Sequence, residues 1–337
     1  MKAWRIPAFG IEHLEMVTAP DPVPQRGEVL VRVHAVSWNY RDLMVTEGKY
    51  NPKMRLPRIP CSDGAGEVVA VGEGVTRVRA GDRVCGIFMQ NWIEGDPDAA
   101  KIRGALGGDI DGMLREFVVL HERGVVHFPV HLSWEEAATL PCAGVTAWNA
   151  LVHAGGIKAG DTVVILGTGG VSIFALQFAK MMGARVLGTS SSDAKLERAK
   201  GLGLDAGINY RLQPAWDEWV MEQTGGKGAE LVVEVGGAGT LPRSLRSARI
   251  GGVVAQIGVL SQSGEGIEVQ LLLHRQVHLC GIYVGSRADF EMMNRAVSQH
   301  KLKPVVDEVF RFEDAPQALR RMESGAHFGK LVTSVMH

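Results

Sequence analysis

Two hydrophobic patterns divide the 337-residue chain. From Thr162 onward, short unbroken aliphatic runs alternate with stretches of helical period. The strand-like runs fall at 162–167, 184–190, 206–210, 230–235, 251–258 and 277–284. Helical patterns lie between them at 171–182, 193–202, 215–224, 240–248 and 268–275. Unbroken β-branched and aliphatic runs are what strands buried on both faces require. Six of them alternating with helices predict an α/β fold with a doubly wound parallel sheet. Before residue 129 the period is two. Val29–Val36 alternates, and Gly66–Val71 and Arg83–Phe88 are further strands, set apart by the turns Gly72-Glu73-Gly74 and Ala80-Gly81-Asp82. Phe117–Leu120 and Val125–Phe128 resume the pattern, so this part reads as all-β. Asn91–Asp111 is polar and without period, and is expected to form a lobe or a long loop. Ser133-Trp134-Glu135-Glu136 is a capping box that starts a helix, and Cys142–Ala154 reads as a second helix. The tail adds a helix at Arg287–Gln299, a strand at Val305–Phe310, a helix at Ala315–Ser324 and a strand at Lys330–Val335.

Thr162–Lys195 carries the first chemistry. A strand (Thr162–Leu166) runs straight into Gly167-Thr168-Gly169-Gly170-Val171-Ser172, then a helix to about Met182, a C-cap at Gly183 and a second strand, Ala184–Thr189. Gly167 permits the tight turn and Gly169 lets the backbone approach a pyrophosphate. The free N–H groups at the helix start, around Gly170 and Val171, then bind that anion. Ser172 stands at the third fingerprint position and is small enough for close helix–strand packing. The strand–turn–helix–strand context marks a dinucleotide site rather than a stray glycine pair. The second strand ends in Thr189-Ser190-Ser191-Ser192, with Lys195 close behind. A carboxylate at that end would select the ribose 2′-hydroxyl of NAD. Hydroxyls and an ammonium suit a 2′-phosphate instead, so the expected cofactor is NADP(H). One serine, 191 or 192, also serves as N-cap of the helix that begins at Asp193.

Composition narrows the class without choosing a reaction. Hydrophobic residues make up 46% and charged residues 22%, with a net charge of −1. That is an ordinary globular balance and offers no electrostatic footprint for nucleic acid or an anionic membrane. No stretch approaches the ~18 apolar residues of a membrane helix, and MKAWRIPAFG lacks the apolar core of a signal peptide. The four cysteines (61, 85, 142, 280) form no CxxC pair. A cytoplasmic protein acting on a small molecule is expected.

The arrangement as a whole resembles the medium-chain dehydrogenase/reductase superfamily. The markers are Gly27-Glu28-Val29-Leu30-Val31-Arg32-Val33, Gly64-Ala65-Gly66-Glu67-Val68-Val69-Ala70-Val71-Gly72 and Gly81-Asp82-Arg83-Val84. Leu140-Pro141-Cys142-Ala143-Gly144-Val145-Thr146-Ala147, the glycine turn and Phe328-Gly329-Lys330-Leu331-Val332 complete the set. The resemblance implies a GroES-like catalytic domain from residues 1–128 and 283–337, and a Rossmann NADP(H)-binding domain from 129–282. It also implies an active site between the two and a homodimer paired through Val277–Val284.

Zinc members of the superfamily hold their catalytic metal with a Cys, a Gly-His-Glu motif and a second Cys. The matching positions here are Asn39, Cys61-Ser62-Asp63 and Cys142. Asn and Ser are poor zinc ligands, and one thiolate does not supply the three protein ligands of an open catalytic site. The cysteine lobe of a structural zinc is also missing from 86–112. The chain instead looks like the zinc-free, quinone-oxidoreductase-like branch. That likeness implies hydride transfer from NADPH to a quinone or enone, with Asn39 and Tyr40 as donors to the oxyanion that forms. It implies cofactor contacts from Thr146, Ser190, Ser191, Lys195, Tyr210, Val235, Gly258, Val259, Gly285, Ser286, Phe328 and Lys330. Competing readings are a zinc-dependent alcohol dehydrogenase and a non-catalytic NADPH-binding redox sensor. Residue by residue, Asn39 also suits a helix N-cap, Asp63 a structural hydrogen bond and Cys142 a small buried apolar group. His274 and His278 are not expected to share a helix face.

Overall fold

A computed structural model describes residues 1–261, 266, 267 and 269–336. The chain forms two compact units, Met1–Val145 with Gly285–His337, and Thr146–Val284.

In chain order the first unit begins with β1 (Lys2–Arg5), β2 (Glu15–Thr18), β3 (Glu28–Trp38), β4 (Asp63–Val71), β5 (Arg83–Gly86), β6 (Phe117–His121) and β7 (Val125–His127). The second unit contains β8 (Thr162–Leu166), β9 (Arg185–Ser190), β10 (Ala206–Asn209), β11 (Ala229–Glu234), β12 (Ala248–Gln256) and β13 (His278–Gly281). The chain then returns to the first unit with β14 (Val306–Arg311) and β15 (Lys330–Ser334).

The first unit is a seven-stranded sheet in the order β14-β15-β3-β4-β5-β7, with β6 also paired to β3. Eleven-residue β3 is its centre. It alternates buried and half-buried positions until Val36, and then Val36, Ser37 and Trp38 are all buried. The alternation is the sequence pattern realised, with Val29, Val31 and Val33 turned into a core that also holds Trp38, Leu106, Met113, Leu114 and Leu331. The tail enters by pairing β15 antiparallel to β3, Leu331 opposite Trp38. β4 lies on the other side, with Asp63 opposite Ser37. These two registers bring Lys330, Asn39 and Ser62 to one end of three adjacent strands.

The second unit is a six-stranded parallel sheet in the order β10-β9-β8-β11-β12-β13. That order reverses direction between β8 and β11, and a doubly wound sheet binds its ligand outside the carboxyl ends of the strands at such a point. Its core includes Val164, Leu187, Ile208, Val232, Leu245 and Val254.

The structure places both expected boundaries differently. Residues 129–145 group with the first unit, not the second. The capping box is present as read, with Ser133 accepting from the Glu136 N–H, but the helix Trp134–Ala138 it starts packs on β3 and β4. Trp134 stacks on His34 with ring centroids 4.2 Å apart, and the Arg83 guanidinium lies 4.3 Å over the Trp134 ring. The return to the first unit falls at Gly285 where 283 was expected. Some elements are shorter than their patterns: β5 ends at Gly86 and β13 at Gly281. The β1–β2 ribbon carries too little pattern to be read in advance, whereas the helix Tyr40–Thr46 starts where Asn39 suited an N-cap. The helix expected over 268–275 is observed as Val269–Arg275, and residue 268 lies outside the described residues. His274 sits in that helix and His278 in β13, so they share no face.

The Asn91–Asp111 segment is a lobe held by carboxylates. Asp98 Oδ1 accepts from the N–H groups of Ala100 and Lys101, each at 2.9 Å, and Asp109 Oδ2 accepts from those of Gly104 and Ala105. The lobe ends by clasping the segment before β4. The Gly112 N–H donates to Ile59 O at 2.7 Å, and a Cβ on Gly112 would lie 2.2 Å from Cys61 O and 2.3 Å from Pro60 O. Backbone on both sides cannot yield cheaply. Gly112→Ala is therefore expected to destabilise the protein by about 1–3 kcal/mol, read as a lowered thermal midpoint. A variant as stable as the wild type would show that the clasp is loose.

Candidate functional site: a glycine-rich crevice and a buried polar cluster

The phosphate turn is built as the glycine pattern requires. Gly167 has φ +67°, a left-handed conformation that favours glycine, and its N–H donates to Thr189 Oγ1 at 3.3 Å. Gly169 caps the helix Gly170–Met181, and a Cβ at either glycine would meet nothing within 4 Å. Space thus lies open beside both glycines at the start of the helix, where N–H groups are left without intrahelical partners. Ser172 is buried and donates to Leu166 O at 2.6 Å, tying the helix to the end of β8. Gly170 and Val171 form the helix's first turn.

The neighbouring strand ends gather most of the expected cofactor residues. Ser190 ends β9 and is buried, its hydroxyl accepting from the Ser192 N–H at 3.2 Å. Ser192, not Ser191, is the N-cap of the helix Asp193–Gly201, accepting from the Lys195 N–H. Tyr210 follows β10 and donates its N–H to Ser190 O at 3.0 Å, leaving its ring 40% exposed. Val235 follows β11, and Gly258 and Val259 follow β12. A Cβ at Gly258 would fall 1.6 Å from Val235 O, so these two loops touch backbone to backbone. Thr146 is buried in the helical turn Val145–Asn149 of the chain leading to this unit.

A residue not singled out in the sequence organises one of these loops. Glu234, fully buried at the end of β11, accepts from the N–H groups of Gly236 (2.6 Å) and Gly237 (2.9 Å) and from the Thr240 hydroxyl (2.6 Å). The Ser244 hydroxyl also donates to it. A carboxylate ending the apolar run Leu231-Val232-Val233 was the available signal, since such a group is buried only when fully bonded.

The remaining expected residues belong to the first unit. Gly285 precedes Ser286, which caps the helix Arg287–His300 in a capping box with Asp289. Phe328 is buried, and its N–H donates to Asp307 Oδ2. Lys330 is 3% exposed, and its ammonium is turned inward. It donates to Trp38 O and to Asn39 Oδ1, both at 2.6 Å.

Lys330 thereby joins a polar cluster at the positions of the zinc ligands. Asn39 occupies the N-cap of the helix Tyr40–Thr46, and the Asp42 carboxylate accepts from its backbone N–H at 2.9 Å. The Asn39 amide lies in a capping box with Asp42. Its oxygen accepts from Lys330, and its Nδ2 faces Ser62 Oγ at 3.4 Å. Ser62 Oγ donates to Asp63 Oδ1 at 2.7 Å, and Asp63 Oδ2 accepts from the Cys142 N–H at 3.0 Å. The expected structural bonds of Asp63 are thus present. Tyr40, the second expected donor, is 42% exposed. Cys61, which matches the family's Gly, is held at φ +72° and donates its thiol to Ser37 O.

Burial dominates the electrostatics. Asp42 and Asp63 are both fully buried, and desolvation raises the pKa of each. Asp63 is pushed from 3.8 to about 6, the Lys330 charge opposing the rise and Asp42 adding to it. Burial also pushes the Cys142 thiol well up, which keeps it protonated and unreactive. Among the described residues no group of three or more His, Cys, Asp or Glu side chains is placed to hold a metal ion.

Residues 25–130 match the alcohol dehydrogenase GroES-like domain family, and residues 170–299 the zinc-binding dehydrogenase family. A zinc-type alcohol dehydrogenase-like protein of Schizosaccharomyces pombe is 43% identical over 93% of each chain. The chain belongs to the medium-chain dehydrogenase/reductase superfamily. Members of this superfamily with solved structures extend the likeness. An NAD-dependent alcohol dehydrogenase superposes with TM-score 0.92 at 35% identity over 100% of both chains. A mycobacterial quinone oxidoreductase superposes with TM-score 0.82 at 27% identity over 99% of this chain and 100% of the other. The protein is accordingly an NAD(P)-dependent oxidoreductase with a GroES-like unit and a Rossmann unit. No described helix is long and apolar enough to cross a membrane.

The raised pKa of Asp63 has a signed consequence. Its folded value, about 6, lies above the ordinary 3.8, so folding takes up a proton between them. The stability contributed by the protonated group is complete below the unfolded value and lost as pH rises through 6. Asp63→Asn removes this dependence. The thermal midpoint of the variant relative to wild type is expected to climb between about pH 4.5 and about pH 7.5, by the equivalent of roughly 1–3 kcal/mol. Parallel curves for the two proteins across that range would contradict the assignment.

Proposed function

We propose that the protein is a cytoplasmic, NADPH-dependent, zinc-independent oxidoreductase that transfers hydride to a quinone or an α,β-unsaturated carbonyl compound. One observation carries this reading: the ammonium of Lys330 lies 2.6 Å from Asn39 Oδ1, inside the donor set where zinc relatives bind their metal. The rest of that set is an amide, a hydroxyl, a buried carboxylate and a single thiol. It lacks three anionic or imidazole ligands, and a resident cation opposes a second one. A simple alcohol then has no Lewis acid to stabilise its alkoxide. A conjugated acceptor needs only donors for the enolate or phenolate oxygen that develops.

Gly167, Gly169, Gly170 and Val171 would hold the pyrophosphate of the cofactor, and Ser190, Ser191, Lys195 and Tyr210 its 2′-phosphate. Thr146, Val235, Gly258, Val259, Gly285, Ser286 and Phe328 complete the proposed cofactor contacts. NADPH, when bound, supplies the hydride. The Asn39 amide and the Tyr40 phenol are the proposed donors to the oxyanion. The subunits are proposed to pair edge to edge through β13, which ends the sheet order and leaves Leu279 36% exposed.

Oxidation of NADPH and NADH, followed at their absorbance band against a panel of quinones and enones, tests the proposal. Turnover with a preference for NADPH is expected. Asn39→Ala is expected to lower kcat/KM by about 10²-fold, as for an oxyanion donor, and Tyr40→Phe by a smaller factor. If both variants keep wild-type kcat/KM, the site is misassigned. NADPH binding without turnover on any acceptor would favour the sensor reading. Stoichiometric zinc in the purified protein would favour the alcohol dehydrogenase.

A further inference from the structure

The Lys330 side chain is buried, charged and bonded to the residue proposed to meet the substrate. The resemblance assigns Lys330 to cofactor contact, but its ammonium instead spends two hydrogen bonds on Trp38 O and Asn39 Oδ1. We propose that Lys330 is a positioning residue for reduction: it fixes and polarises the Asn39 amide, so that the Nδ2 edge is offered to the substrate oxygen. The inference rests on the functional reading above.

Three observations converge on it. An Asn amide has nearly equivalent rotamers with oxygen and nitrogen exchanged, and only its hydrogen-bond partners choose between them. Here the choice is forced, because turning Nδ2 toward Lys330 would set two donors against each other at 2.6 Å. The opposite edge is held by Ser62, whose own proton goes to Asp63, so the Ser62 oxygen is left to accept from Nδ2. Finally, a cation on the amide oxygen draws electron density from the nitrogen, and in a low-dielectric site this strengthens the N–H donors. The Asp63 carboxylate also takes a hydrogen bond from the Asn39 side chain, so an incoming oxyanion competes with Asp63 for the second Nδ2 proton. Asp42 and Asp63 are both fully buried and interact electrostatically with Lys330, which favours its charge there.

The register explains why the lysine reaches this place. Leu331 pairs with Trp38, so Lys330 lies beside Asn39 across the β15–β3 ladder. Its stem crosses the strand end and its head meets the amide oxygen. The tail of the chain thus delivers a fixed positive charge to the site, which a metal supplies elsewhere in the superfamily.

The test combines a double-mutant cycle with a spectroscopic readout. Lys330→Met, Asn39→Ala and the double variant are compared in single-turnover oxidation of bound NADPH, with NADPH affinity measured by fluorescence. Lys330→Met is expected to slow hydride transfer by about tenfold or more, a share of the ~10²–10³ lost with a whole oxyanion donor. NADPH affinity is expected to change less than about twofold. Added to Asn39→Ala, Lys330→Met should cost nothing further, because it acts through the amide. Additive losses, or weakened NADPH binding with an unchanged rate, would overturn the proposal; the second result would return Lys330 to the cofactor. The side-chain amide resonances of Asn39, assigned by their disappearance in Asn39→Ala, are expected to shift in Lys330→Met protein without cofactor. Unshifted resonances would overturn the proposal even if the rate falls. This readout needs no turnover, so an enzyme inactive on every acceptor sinks the functional reading separately. If Lys330→Met does not fold, Lys330→Gln, which keeps a donor without the charge, enters the same cycle with the same expected non-additivity.

Discussion

A buried ammonium sharing one strand end with two buried carboxylates is the constraint on which the first unit turns. Asp42 and Asp63 lie wholly out of water, a placement that costs several kcal/mol per ion unless each charge is bonded and opposed. Arg41, 3.5 Å away, and then Lys330 oppose the charge of Asp42, and Lys330 opposes that of Asp63. It arrives only because β15 pairs with β3 in one register, and a slip of one residue would turn its side chain to the other face. The tail, the central strand and the loop before β4 are therefore mutually specified. The hydrogen bonds of Asn39, Ser62 and the Cys142 N–H follow from that meeting.

The second unit solves a different problem with simpler means. A parallel sheet of order β10-β9-β8-β11-β12-β13 collects the glycine turn, Ser190, Val235 and Gly258 at one end of its strands. Its proposed anion site is made of backbone, and side chains mainly hold the loops in shape. Glu234 does this by taking two N–H groups and two hydroxyls at once.

Legibility in the sequence followed this division. The strand Thr162–Leu166 was readable to the residue, and the neighbouring strands and helices nearly so, because each is a long run of one period bounded by glycine or serine. The glycine turn was readable because its chemistry is local. The cluster in the first unit was legible only in part. Asn39, Ser62 and Cys142 stood out against the zinc pattern, but nothing local says that Lys330, some 290 residues after Asn39, ends at its amide oxygen. That depends on strand register, which pattern alone does not give. The helix at Trp134 was read correctly and assigned to the wrong unit for the same reason: its capping box is local, while its stacking on His34 and under Arg83 is not.

A fixed ammonium, and no metal, is proposed to complete the site at Asn39, Ser62 and Asp63. Single-turnover NADPH oxidation by an enone, measured before and after exhaustive dialysis against a strong chelator, tests it most directly. The account predicts an unchanged rate, with no gain when zinc is added back. A rate that collapses on chelation and returns with stoichiometric zinc would contradict it.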